Sequence, residues 1–175
     1  MANILPYQGK LPKIDVSVFV APTAVIIGDV EIGAHSSVWF NTVIRGDVYY
    51  IRIGSNTNIQ DCSVIHVTTD TYPTIIGDAV TMGHGVILHG CTVKDGALIG
   101  MGAIVLDGAE VGEQSLIAAG TMVPMGMKIP PRSLVAGVPA KVKRELTPDD
   151  LHRMQINWQH YVELKDEYLE ARLND

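Results

Sequence analysis

Charge is scarce in this chain: Lys, Arg, Asp and Glu together account for only 18% of 175 residues. Cysteine is scarcer, with Cys62 and Cys91 alone, and their spacing matches no zinc ribbon or redox motif. Both are expected to be reduced thiols, packed in the interior or lying near a site. No basic run interrupts a formal net charge of −6 and a pI near 5.4, which argues against nucleic acid or an anionic membrane as partner. No stretch offers the roughly 20 uninterrupted apolar residues of a membrane span. Residues 1–17 lack the continuous apolar core of an export signal. A cytoplasmic protein of one domain is the expectation.

Glycine, at 17 residues, and small aliphatics are plentiful, and the aliphatics keep a beat. Ile87, Val93, Ile99, Val105, Val111, Ile117, Val123, Ile129 and Val135 fall at a strict interval of six. Neither a helix near 3.6 nor a strand at 2 produces that period. It belongs to a solenoid, in which one short unit stacks repeatedly and buries its inner face only against its neighbours. Upstream the beat continues in other phases: Ile14 through Ile44, then Ile53, Ile59 and Ile65, then Ile75 and Thr81 leading into Ile87. A small or β-branched residue follows most of these by four, as at Ala24, Thr42, Ser63, Ala79 and Ala97.

Such hexads resemble the left-handed parallel β-helix, an all-β architecture in which three hexads close one triangular coil. About twenty hexads then give six to seven coils, a stack about 30 Å tall at the usual strand spacing. Two phase slips mark outward bulges, one near Asp47–Tyr50 and one at Thr71–Thr74. The repeat fades after Val135, and Thr147-Pro148-Asp149-Asp150 reads as a helix start. The solenoid is therefore expected over residues 1–145. A helix over 146–175, part of the same domain, would use Leu151, Met154, Trp158, Tyr161, Tyr168 and Leu169 as packing residues.

Three of the six histidines gather around the second bulge: His66, His84 and His89. Counting hexads puts His66 and His89 on one wall in adjacent coils, in the second and third places of their hexads, and His84 on another wall. Three imidazoles must come within about 2.1 Å of one zinc ion to bind it. One chain can hardly manage that from two walls, whereas a threefold assembly can bring one subunit's wall against the next. The spacing thus suggests a homotrimer with a metal at each interface, His84 coming from the neighbour. His35, His152 and His160 read as ordinary.

Arg45-Gly46-Asp47, Asn58-Ile59-Gln60-Asp61, Ile65-His66 and Gly83 through Gly90 resemble the corresponding segments of γ-class carbonic anhydrases, over nearly the whole chain. The hexads and the Gly137–Lys141 ending are shared with hexapeptide acyltransferases and discriminate less. The resemblance implies Zn²⁺, or Fe²⁺ or Co²⁺, held by His66, His84 and His89 at a trimer interface. It implies hydration of CO₂ to bicarbonate by a metal-bound hydroxide. Arg45 and Asp47 would pair across the subunit boundary, Gln60 would orient the metal-bound water, and Asp61 would support the ligands. Val48 stands where the family carries a catalytic glutamate, and Thr68–Thr74, with Asp70 its only acid, replaces an acidic loop. Tyr161 resembles the residue that reaches the site in relatives without that loop. Two other readings stay open: an acyltransferase using one histidine as general base, and a metal-binding homologue with weak or no activity.

Overall fold

In a computed structural model, which describes residues 3–173, the hexads wind into a parallel β-solenoid with one helix laid alongside. Seven rungs stack on the first wall, from Phe19–Val20 through Thr81–Met82 to Ser133–Ala136. The second wall carries Val64–His66, Ile87–His89, Ile104–Val105 and Met122–Val123. The third carries Thr74–Ile76, Thr92–Val93, Glu110–Val111 and Lys128–Ile129. Two long strands, Val25–Ile32 and Val43–Ile53, bend across the second and third walls and join them into one sheet. Ile26, Ile44, Ile65, Leu88, Val105 and Val123, one per coil, are fully buried inside the second wall. Each coil can bury such residues only because the next covers it.

The first bulge sits where its phase slip places it; the second begins three residues earlier than expected, at Thr68, and Thr74 is already a fully buried strand residue. Gly28 pairs with Gly46 and Val30 with Ile51, so Asp47–Tyr50 is pushed outward opposite the single residue Asp29. The second bulge is a tight hairpin in which Thr68 and Tyr72 exchange backbone hydrogen bonds.

One stretch of the hexad reading is out by a residue. Ile76, Met82 and Leu88 point inward, at 2%, 0% and 0% exposure, rather than Ile75, Thr81 and Ile87. The hairpin returns the chain one residue late, and the turn at Gly90 removes that residue before Val93. Ala79 then takes a corner conformation with φ +55°, and Val80 fills the interior in its place.

Past Val135 the chain turns back. Lys141–Glu145 pairs antiparallel with Ser133–Ala136 and closes the lower edge of the first wall. All five of its residues are exposed and four are charged, which blunts a free sheet edge against further pairing.

The helix spans Pro148–Leu173, 26 residues, or about 39 Å; its expected last two residues lie outside the described ones. Thr147 caps it: its hydroxyl accepts the Asp150 amide hydrogen at 3.2 Å, and the Asp150 carboxylate accepts the Thr147 amide hydrogen at 2.8 Å. That reciprocal arrangement is a capping box with Asp in place of Glu. Met154 is buried, and Tyr161 and Tyr168 close on Trp39 with ring centroids 5.5 and 5.1 Å away. Lys165 lies in the same buried stripe, paired to Asp166. This helix is too polar to cross a membrane.

The shifted register has a direct test. Ile76→Ala should lower the unfolding free energy by about 2–5 kcal/mol, as large-to-small core changes do. Ile75→Ala should lower it by about 1 kcal/mol or less. Denaturant unfolding of the two variants compares them, and the reverse order would put Ile75 inside.

Candidate functional site

The same register decides where the histidines point. Because Ile65 and Leu88 are the inward residues, His66 and His89 both follow at the next, outward position and are directly paired across the rungs. The one-residue offset in the hexad count disappears. Arg45 follows Ile44 in the same way one rung above, so Arg45, His66 and His89 share an outward column of the second wall. Gly46 is needed beside it because a Cβ there would lie 2.7 Å from the Asp29 carbonyl oxygen.

His66 Nδ1 and His89 Nε2 face each other at 3.1 Å. The far nitrogen of each ring is held by a carboxylate: His66 Nε2 by Asp47 at 3.0 Å, and His89 Nδ1 by Asp107 at 2.6 Å. A carboxylate only accepts, so each far nitrogen carries the ring proton and donates it. The two near nitrogens then present lone pairs to one another. That contact is repulsive unless a positive charge stands between them.

Burial lowers the His66 pKa most; the Asp47 hydrogen bond opposes this, and the nearby Arg45 guanidinium lowers it further, so a proton on the His66 ring is disfavoured. Burial opposes ionisation of Asp47, but hydrogen bonds from Arg45 and His66 hold its carboxyl below the usual range. A divalent cation suits the donor set better: two nitrogens about 2.0–2.1 Å from a tetrahedral ion stand about 3.3–3.4 Å apart, close to the gap seen. Ligating histidines are typically fixed in this way, through carboxylates on the other ring nitrogen.

His84 sits on the turn between Thr81–Met82 and Ile87–His89, at the corner of the first and second walls. Asp61 holds its Nδ1 at 2.7 Å, and the ring is 48% exposed with Nε2 left to face outward chemistry. The other Asp61 oxygen accepts the Phe40 amide hydrogen. Among the described residues, no three His, Cys, Asp or Glu side chains converge as metal ligands within the one chain. His84 therefore has the same carboxylate-anchored form as the pair but stands apart from it.

Of the remaining expected residues, Arg45 and Asp47 lie with the facing pair, Tyr161 lies near Asp61, and Gln60 is tied into neither half-site. Arg45 Nη1 donates to Asp47 at 2.6 Å within the chain. Tyr161, half-buried on the helix, lies within electrostatic reach of Asp61; burial and that carboxylate both raise its pKa, so the phenol keeps its proton. Gln60 is buried beneath the helix on the first wall, its amide donating to Asn58 at 3.0 Å. Asn58 in turn reaches Thr81, which donates to Asn157 of the helix. Asp107 was not anticipated, although it lies 18 residues after His89, the length of one three-hexad coil. His35 occupies a corner with φ +59°, and His152 and His160 are exposed.

Cys91 is buried just beyond His89, and burial pushes its thiol pKa up to about 12. It is no thiolate ligand at neutral pH. A thiol reagent at pH 8 should titrate Cys62 in the native protein and reach Cys91 only after unfolding. Because the folded pKa lies above the unfolded value of 9.0, Cys91 contributes stability that is complete below about pH 9. That stability should fade between about pH 9 and 12, which Cys91→Ala would flatten. Rapid native labelling of both sulfurs would contradict this placement.

No family model matches the chain. It is 54% identical to a carbonic anhydrase of Geobacillus kaustophilus, over 96% of this chain and 91% of that protein. It is 45% identical to the mitochondrial γ carbonic anhydrase 2 of Arabidopsis thaliana, over 89% of this chain and 58% of that longer one. Among solved structures, a hexapeptide transferase family protein from Anaplasma phagocytophilum superposes with a TM-score of 0.91. The two are 42% identical over 95% of this chain and 98% of the other.

Proposed function

The chain belongs to the γ-class carbonic anhydrase-like family of hexapeptide-repeat proteins, and from that premise we propose that it is a metal-dependent lyase hydrating CO₂ to bicarbonate at the interfaces of a homotrimer. The observation that carries the reading is the pair of imidazole lone pairs facing each other at 3.1 Å, each fixed by a carboxylate behind it.

The three walls support the assembly. The helix packs on the first over its rungs from Phe19–Val20 to Thr81–Met82. The third carries a charged ladder, with Lys13 and Arg52 on Glu31, and Lys128 on Glu110. The second presents an outward ladder of Val25, Val43, Val64, Ile87, Ile104 and Met122, with Val64 and Ile87 each 39% exposed. A continuous apolar stripe of that kind asks to be covered, and His66 and His89 stand beside it. A threefold axis would bring the corner residue His84 of one subunit to that stripe on the next, giving three equivalent sites.

The residues that would hold the ion are His66 Nδ1, His89 Nε2 and a neighbouring subunit's His84 Nε2, with Zn²⁺, Fe²⁺ or Co²⁺ as occupant. When bound, the ion supplies a Lewis acid able to lower the pKa of water from about 15.7 to about 7. Asp47 and Asp107 fix the tautomer and aim of His66 and His89, and Asp61 stands against His84 Nδ1. Arg45, 43% exposed beyond its bond to Asp47, offers further guanidinium hydrogens to an anionic product. Tyr161 retains its proton and acts as a hydrogen-bond donor near Asp61, not as a base. An acyltransferase would need one histidine free to take a proton from an acceptor. That role needs a single imidazole, which His84 alone could fill, and it leaves the facing pair of His66 and His89 without a use.

Purified protein should carry about one ion per chain in a particle of about three chains, by elemental analysis and native mass. Chelator treatment and His84→Ala should each reduce CO₂ hydration to the uncatalysed background. Coexpressing His84→Ala with a chain lacking both His66 and His89 rebuilds one interface in every mixed trimer, restoring about a quarter of the wild-type ion content. Full metal loading of the His84→Ala protein alone, or a lone protomer in solution, would end this reading.

A further inference from the structure

Asp107 does more than accept one hydrogen bond. Its Oδ1 takes the His89 Nδ1 hydrogen, and its Oδ2 takes the hydroxyl hydrogen of Thr68 at 2.9 Å. Thr68 opens the second bulge, 39 residues earlier in the chain. At the other end of that bulge, the Thr74 hydroxyl donates to the His66 carbonyl oxygen at 2.5 Å. Each end of the hairpin is therefore joined to one member of the facing pair.

The hairpin is also seated on the coils below it. Tyr72 lies over two glycines: a Cβ at Gly90 would fall 2.7 Å from the Tyr72 Cβ, and one at Gly108 would fall 3.0 Å from its ring. Gly90 follows His89 directly and Gly108 follows Asp107 directly. Both have positive φ, +55° and +67°, so a side chain at either would be strained as well as obstructed. The ring thus rests on the residues next to the ligand and next to its carboxylate, while Thr68 ties the hairpin to that carboxylate.

We propose that the Thr68–Pro73 hairpin is a clamp that sets the ring of His89 through Asp107, which makes Asp107 and Thr68 positioning residues for the metal site. The inference rests on the functional reading above and deepens it. With Oδ2 held by Thr68, the Asp107 carboxylate cannot swing, and its Oδ1 keeps the ring proton on Nδ1 and the lone pair on Nε2. Where relatives are implied to carry an acidic loop, this chain has a short hairpin that faces the coil stack and acts on ligand geometry.

The test is made on the full chain labelled with ¹⁵N-histidine, recorded first with chelator and then with Zn²⁺. Wild type should show His89 as the Nδ1–H tautomer in both conditions. Asp107→Ala should mix the His89 tautomers while leaving His84 unchanged, and should weaken Zn²⁺ binding in chelator competition by about 10–100-fold. Thr68→Val should move both readouts in the same direction by a smaller factor. Thr68→Ser, which keeps the hydroxyl, should match wild type. Should Asp107→Ala fail to assemble, Thr68→Val decides alone, since it changes one hydroxyl to a methyl on a half-buried surface.

A His89 tautomer and a Zn²⁺ affinity unchanged in Thr68→Val and in any assembled Asp107→Ala would overturn the clamp. Wild type that takes up no Zn²⁺ would instead overturn the functional reading, and the chelator-treated spectra would still decide whether Asp107 and Thr68 set the His89 ring.

Discussion

Two imidazole lone pairs held face to face are an electrostatic debt, and the rest of the site is organised around keeping them so. Without Asp47 and Asp107 each ring could move its proton to the near nitrogen, and the two would make an ordinary hydrogen bond. The carboxylates forbid that relaxation by claiming the protons on the far side. Such an arrangement destabilises the bare protein locally and favours whatever cation enters. At His84, Asp61 stands 2.7 Å from Nδ1 with both side chains more exposed. Two repetitions of one geometry, at His66 and His89 in adjacent coils, are hard to account for as solvated surface pairs, which contribute little to stability.

The solenoid explains why His84 stands apart from the facing pair. Its interior is filled by Ile, Val and Leu from every coil, so it has no room for a pocket. Chemistry is confined to outward positions, and a single wall offers a column of side chains in a line, never a cup. Closing coordination around a cation therefore requires a second surface. The three walls differ in the way that requirement demands: one takes the helix, one takes charge, and one keeps an apolar stripe beside Arg45, His66 and His89. On the proposed reading, folding makes two-thirds of each site and association supplies the rest.

Much of this was legible in the chain because a solenoid is nearly one-dimensional. A six-residue beat reports the inward column, and any break in it reports a bulge, so coil number and bulge positions could be counted. The count failed at Ile75–Leu88, where Ile75-Ile76 and Ile87-Leu88 offer two adjacent aliphatics each. Period alone cannot say which of the two faces inward when the slip on entry is cancelled by a second slip at Gly90. That ambiguity obscured the exact pairing of His66 with His89. Asp107 was missed for a different reason: its partner is one coil away, and no local pattern marks a carboxylate that belongs to a histidine 18 residues earlier. Lys165 lay hidden in a helical stripe read for its aromatics, because long charged side chains are ordinarily expected to face water.

What the site contains also bears on how fast it can work. Asp47 and Asp107 each already accept a hydrogen bond from an imidazole, and Asp61 stands 2.7 Å from His84 Nδ1, so taking a further proton would loosen the histidine that each one holds. Tyr161 is held protonated by burial and by Asp61, so it can donate a hydrogen bond but not collect a proton at neutral pH. Val48 contributes no acid where relatives are implied to have one, and Asp70, exposed on the hairpin, is tied only through its backbone amide. The groups that fix the ligands are thus the wrong groups to carry protons away. On this argument the chain has separated the two tasks: its carboxylates are committed to geometry, and proton removal falls to solvent and dissolved buffer. On the proposed reading, such a protein would bind and aim its ion well, yet turn over at a rate set by how readily water and buffer reach the seam between subunits.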